Sequence, residues 1–171
     1  MKTILAKPSS PPSGRVVAFE PTTACFTELQ SRFVNNPQVV LKNIAVGASD
    51  GVLSMAVETD ALAATHRVVT DNSGGGVVQV QVRSAASLAA EEPELFPRIV
   101  KIDVEGHEGA VLDGFEPLMA DQRLHTVGIE VHFGLLDERG ESDCPARMEQ
   151  TLLQHGFKVR WTDPSHLLAT R

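Results

Sequence analysis

The chain has 171 residues, of which 42% are hydrophobic, 22% charged and 5% aromatic, which suits one globular domain over 1–171 and is too apolar for a disordered chain. Fifteen Lys plus Arg against 22 Asp plus Glu give a formal charge of -7, which repels phosphate backbones and anionic bilayers and so argues against nucleic acid and membrane as partners. Cys25 and Cys144 form no Cys-x-x-Cys pair, and no run approaches a signal peptide or the ~18 apolar residues of a span, so the chain reads as cytoplasmic.

After a Pro/Ser-rich stretch from Lys7 to Gly14, Arg15-Val16-Val17-Ala18-Phe19 is a short β-branched run that stops at Glu20-Pro21, a buried strand ending in an acid. Thr22 or Thr23 caps a helix with Phe26, Leu29 and Phe33 on its apolar side, ending before Asn36-Pro37. Strand then helix marks an α/β unit. Val39-Val40-Leu41 starts a second strand, followed by Ile44-Ala45-Val46-Gly47, a turn at Ser49-Asp50-Gly51 and an extended Val52–Val57. Residues 58–76 are polar and aperiodic and read as a long loop.

Val78–Val82 alternates as a half-buried strand, and Leu88–Phe96 reads as an acidic connector. Ile99-Val100-Lys101-Ile102-Asp103-Val104 is apolar until the cluster Asp103, Glu105, His107, and Val111, Leu112, Phe115, Leu118 and Met119 then mark a helix. Val127–His132 repeats the pattern, with Glu130 and His132 towards its end, before a helix around 146–155 stopped by Gly156. Phe157–Trp161 and Leu167–Ala169, split by Thr162-Asp163-Pro164-Ser165, form a terminal antiparallel hairpin.

In an open parallel sheet ligands sit at the carboxyl ends of the strands, which nominates Glu20, Asp103, Glu105, Glu130 and His132. An acid at the end of such a strand suits a ribose diol, because a carboxylate accepts two hydrogen bonds, and equally suits the dipole of the next helix. Both readings stand for Glu20. Asp103, Glu105 and His107 share a face if the backbone stays extended, a spacing able to hold a divalent cation; if a helix starts at 105–108, the acids serve its N-terminus. No metal is assigned on that spacing alone. Glu130 and His132 share a face by the same rule, and an imidazole suits general-base work near neutral pH. His66, His125, His155, His166 and Cys25 are given structural or solvent roles. The low aromatic content offers no stacking platform.

The runs Gly14–Pro21 (GRVVAFEP), Lys101–Glu108 (KIDVEGHE), Val111–Gly114 (VLDG) and Ile129–His132 (IEVH), with Asn43–Val57 between them, together resemble the FkbM family of S-adenosylmethionine-dependent methyltransferases, from about Gly14 onward. The resemblance implies a Rossmann-like class I methyltransferase fold: a seven-stranded, mostly parallel α/β sheet with one strand reversed in the C-terminal antiparallel hairpin. It implies S-adenosylmethionine as cofactor and O-methylation of a hydroxyl on a small molecule or sugar. Glu20 and Pro21 would then hold the cofactor ribose, Ile44 and Ala45 would flank adenine, and Asp103 would face the methyl donor and acceptor. Glu105, His107, Glu130 and His132 would line the acceptor side, with Asp103 or His132 as base.

The chain departs from the family in one respect. Relatives carry a first strand and an Asp-x-Gly-x-x-x-Gly turn upstream of the GRVVAFEP run, whereas only thirteen residues precede Gly14 here. Thr3–Lys7 reads as the end of the helix after that turn, so residues 1–14 are a remnant of helix and loop and the domain is N-terminally truncated. Two apolar strands then lose a shared neighbour, to be replaced by direct pairing or by strand addition from another copy of the chain, a homo-oligomer. Weak or no S-adenosylmethionine binding is expected of the chain as it stands, and a micromolar dissociation constant would contradict that. A catalytically inactive interaction or oligomeric module is the alternative. A metal-dependent hydrolase built on Asp103, Glu105 and His107 leaves the GRVVAFEP run unexplained.

Overall fold

A computed structural model describes residues 2–7, 14–57 and 76–171. The amino-terminal half gives strands β1 (Lys2–Lys7), β2 (Arg15–Phe19), β3 (Val39–Lys42), β4 (Ala45–Val46), β5 (Gly51–Val57) and β6 (Gly76–Arg83), with helix α1 (Thr23–Phe33) after β2. The rest gives helix α2 (Ala85–Glu91), strand β7 (Ile99–Asp103), helix α3 (Glu108–Phe115), strand β8 (Thr126–Glu130), helices α4 (Phe133–Glu138) and α5 (Cys144–Gln154), and strands β9 (Lys158–Trp161) and β10 (His166–Thr170).

Seven strands form one sheet in the order β3-β2-β1-β7-β8-β10-β9. The expected parallel pairs are present, β2 with β3 and β7 with β8, and β10 runs antiparallel to both β8 and β9. The mixed α/β class and the terminal hairpin are thus borne out. Lys2–Lys7 differs from expectation: it is strand, not the end of a helix, and it pairs antiparallel with both β2 and β7. The slot between these two strands is therefore filled by this chain's own segment, and the sheet has two reversed strands, β1 and β10, rather than one. Ile4-Leu5-Ala6 is an apolar run short enough to pair as readily as to coil, and two open strand edges decide between them.

A second sheet, in the order β4-β6-β5, was not legible in sequence. It forms because Val52–Val57 and Val78–Val82 are two alternating runs that pair antiparallel, while β4 joins parallel to β6. The long loop expected over 58–76 lies outside the described residues, save Gly76, which opens β6. The connector at 88–96 is mostly helical instead: Ser84 caps α2 by accepting from the Ser87 N–H at 3.0 Å, and a 3-10 turn spans Pro93–Leu95.

Burial alternates along the central strands. Val100, Ile102, Val127, Ile129, Leu167 and Ala169 are at most 1% exposed and form the core with α3 and α5. Their neighbours Lys101, Asp103, Glu130 and His166 turn to the other, half-buried face. α3 carries the period read from sequence, with Val111, Leu112 and Phe115 buried. α1 does not deliver what its pattern promised: Phe26 and Leu29 are half-buried, Phe33 is exposed, and no residue of the helix is buried. Gly156 stops α5 with φ 82, as expected.

Candidate active site

The site is built where β7 and β8 end. β7 stops at Asp103, and the chain then makes a turn in which Glu105 (φ 53) and Gly106 (φ 85) are both left-handed. Gly106 suits that backbone, and a Cβ on it would lie 2.8 Å from that of Leu135. Glu105 is the only non-glycine residue with positive φ among those described, a conformation that costs of order 1–3 kcal/mol and tends to occur at functional sites. The turn breaks the face that Asp103, Glu105 and His107 would share in extended backbone, and α3 starts at Glu108, as the other of the two readings had it. His107 leaves the cluster and turns its ring to Arg139 Nη1, with Nε2 the nearer nitrogen and Nδ1 at 3.1 Å. Burial and the Arg139 charge push its pKa down to about 4.

His132, just beyond β8, takes that place. Its Nδ1 lies 2.7 Å from Glu108 Oε1, and its Nε2 lies 3.5 Å from Glu105 Oε2 and 3.9 Å from Asp103 Oδ1. One donor atom each from Asp103, Glu105 and His132 falls within a 4.8 Å cluster. Glu108 sits beneath the imidazole, fully buried, and its Oε1 also accepts from the Gly106 N–H at 2.9 Å. A carboxylate on one ring nitrogen fixes the tautomer and leaves Nε2 free to act.

Glu130 belongs to a second group on the half-buried face. Lys101 Nζ donates to Glu130 Oε2 at 2.8 Å and to Asp103 Oδ2 at 3.4 Å, tying the two strand ends together. Burial works against the Lys101 ammonium, but the Glu130 hydrogen bond and the nearby acids hold its pKa above the ordinary value. The same Lys101 hydrogen bond holds Glu130 below the usual carboxylate range. His166, given no partner by the sequence, faces Glu130 across the β8–β10 pair, with its Nε2 3.3 Å from Glu130 Oε2 and its Nδ1 2.8 Å from Asp163 Oδ1.

At the end of β2, Glu20 is 2% exposed, and its Oε1 accepts from the Thr22 N–H at 3.0 Å and the Thr22 hydroxyl at 2.7 Å. Thr22 therefore serves the acid rather than capping α1 through its side chain. Asn43 Nδ2 donates to the Glu20 and Pro21 carbonyls at 2.8 and 3.1 Å, which places Ile44 and buried Ala45 in the same corner. Phe19 and Ile102 both pair with Thr3 across β1, so the two corners lie level on one sheet edge, roughly 10 Å apart by two strand spacings.

The comparisons with known proteins identify the family. A family model for the methyltransferase FkbM domain matches residues 4–159. The chain belongs to the FkbM methyltransferase family. It is 31% identical over 121 residues to the hexuronic acid methyltransferase AglP of Haloferax volcanii, covering 70% of this chain and 48% of that protein. The crystal structure of the methyltransferase FkbM from Methylobacillus flagellatus shares the fold with a TM-score of 0.56 at 15% identity, over 92% of this chain and 36% of that one. The chain thus spans about half the length of the curated relative it matches. The family match begins at Ile4, ten residues before the resemblance noted in sequence, and so takes in β1.

Four groups escaped the sequence reading. Glu108 is three, four and seven residues before Val111, Leu112 and Phe115, so helical period alone puts it on the buried face. Lys101 shares a strand face with Asp103, a signal available at spacing two. His166 is found only through strand register. Phe133, next to His132, meets Trp161 with ring centroids 5.8 Å apart, both partly exposed, so the fold assembles an aromatic pair that composition did not promise.

Proposed function

We propose that this FkbM-family chain carries an S-adenosylmethionine-dependent O-methyltransferase site acting on a sugar hydroxyl in the cytoplasm. The observation that carries the reading is the Asp103–Glu105–His132 cluster, backed by buried Glu108 and level with Glu20 on one sheet edge. The donor set suits the cofactor in two respects: Glu20 is an anchored carboxylate where a ribose diol would be held, with Pro21, Ile44 and Ala45 beside it for the adenine, and Asp103 offers negative charge next to a cationic sulfonium. When bound, S-adenosylmethionine supplies an electrophilic methyl group. Glu108 holds His132 by Nδ1, and His132 Nε2 or the Asp103 carboxylate takes the acceptor hydroxyl's proton as the oxygen gains its methyl. Glu130 and Lys101 hold the strand ends in register, and His107, neutral and on Arg139, borders the acceptor side. The Phe133–Trp161 pair offers an apolar ring surface to the C–H face of a sugar, and the hexuronic acid methyltransferase relative supports that acceptor class.

The reversed β1 favours a second reading. Its amino-terminal end, not its carboxyl end, lies at the cofactor edge, with Lys2 paired to Asp103, so no strand-to-helix glycine turn follows it there among the described residues. A non-catalytic interaction or oligomeric module fits that arrangement. Calorimetric titration with S-adenosylhomocysteine separates the two. Methyl transfer requires saturable binding that is lost in Glu20→Ala. Binding absent at millimolar ligand, or unchanged in Glu20→Ala, supports the module.

A further inference from the structure

We infer that Asp103, Glu105 and His132 form a site for one divalent transition-metal ion, of the Mn2+ type, at the carboxyl end of β7. Two carboxylate oxygens and one imidazole nitrogen already converge there, with His132 Nε2 3.5 Å from Glu105 Oε2 and 3.9 Å from Asp103 Oδ1. Ligands about 2.1 Å from an ion stand about 3 to 3.5 Å apart, and these donor atoms lie within 4.8 Å of one another, so side-chain rotations of the order of an ångström close the set. A mixed oxygen and nitrogen set of three suits Mn2+ or its neighbours better than Ca2+, which takes six to eight oxygens.

Glu108 supplies the independent observation. It is a wholly buried carboxylate aimed at the cluster, with Oε1 on His132 Nδ1 at 2.7 Å and Oε2 without a hydrogen-bond partner. A buried acid with an orphaned oxygen is costly unless positive charge lies close by. An ion on Nε2 supplies that charge through the ring and strengthens the Nδ1–H donated to Glu108, the carboxylate–histidine–metal arrangement that orients ligating imidazoles. The local charge balance points the same way. Of the four acids there, Glu130 and Asp103 meet the Lys101 ammonium at 2.8 and 3.4 Å, and among the described residues no Lys or Arg side chain pairs with Glu105 or Glu108.

An ion there would occupy His132 Nε2 and so replace that nitrogen as base: it would acidify an acceptor hydroxyl held at an open coordination position, and the proton would pass to solvent. That use rests on the methyl-transfer reading above; occupancy of the site does not.

The test is titration of the intact chain with Mn2+ alone, followed by loss of the free-ion electron paramagnetic resonance signal, without cofactor or acceptor. The expected result is saturation at one ion per chain. Affinity should fall at least tenfold in His132→Ala and in Glu105→Gln, and about 10–100-fold in Glu108→Gln through loss of ring orientation. It should not change in Asp121→Asn, whose partner is Arg123. Glu105→Gln is nearly isosteric and keeps the test valid if His132→Ala fails to fold by circular dichroism. No saturable binding by the wild-type chain, or stoichiometric binding that survives Glu105→Gln, overturns the site. Mn2+ binding with no response to S-adenosylhomocysteine would keep the site and refute only the methyl-transfer reading.

Discussion

Helices α1 and α3 each follow a strand whose last acid points to the same sheet edge, yet they hold their corners differently. α3 buries Glu108, Gly109, Val111, Leu112, Gly114 and Phe115, whereas α1 buries nothing. The corner at the end of β7 is therefore braced from below, with Glu108 rising from the core to hold His132. The corner at the end of β2 relies on local bonds: Thr22 on Glu20, and Asn43 on the Glu20 and Pro21 carbonyls. One sheet edge can thus be braced by the core on one side and held by local hydrogen bonds on the other.

The largest effect should come from the brace itself. Leu112→Ala, at 1% exposure, should cost about 2–5 kcal/mol in urea unfolding, whereas Leu29→Ala on half-buried α1 should cost no more than about 1 kcal/mol. Equal losses would erase the contrast. Gly106→Ala must place a Cβ 2.8 Å from Leu135 at φ 85 and should lose about 1–3 kcal/mol, while Gly156→Ala, also left-handed but with open space around it, should lose less. Glu108→Ala leaves the Gly106 N–H and His132 Nδ1 without their acceptor, for a further loss of about 1–3 kcal/mol.

Smaller effects are read against pH. The folded pKa of His107 is depressed from 6.5 to about 4, so the unfolded chain binds the proton first. Its contribution is complete above about 6.5 and lost as pH falls towards 4; melting temperature should drop over that range, and His107→Gln should flatten the drop. The Asp163–His166 pair has the opposite high-pH limb. The hydrogen bond that His166 donates to Asp163 raises the His166 pKa, so its stabilisation is full below the unfolded value and lost as pH rises through the folded one. The Ser165 backbone hydrogen bond and His166 hold Asp163 at about 2, and that contribution disappears only as pH falls through this value. Histidine titration by NMR, in wild type and Asp163→Asn, checks the direction.

Much of this was legible in the sequence where the signal is local. Val16–Phe19, Val100–Asp103 and Val127–Glu130 are β-branched runs that pair as expected, and the acids at their ends do gather on one edge. Residues 3–7 were misread because five residues carry no period, and one of the two partner edges that make them a strand, β7, lies far along the chain. The site was half legible. Asp103, Glu105 and His132 converge, but His107 does not, because a left-handed Glu105 cannot be read from a Val-Glu-Gly-His string. Phe26, Leu29 and Phe33 carry a helical stripe that the described core never covers, since a periodic face reports what a helix can bury and not what is there to bury it.

The most direct measurement is transfer of labelled methyl from S-adenosylmethionine, at concentrations up to millimolar, to a hexuronic acid oligosaccharide. Label should appear on a hydroxyl oxygen of the sugar with the wild-type chain and be lost in Glu20→Ala and His132→Ala. A sugar that stays unlabelled at every cofactor concentration, or labelling indifferent to both substitutions, would contradict a methyl-transfer site on this sheet edge.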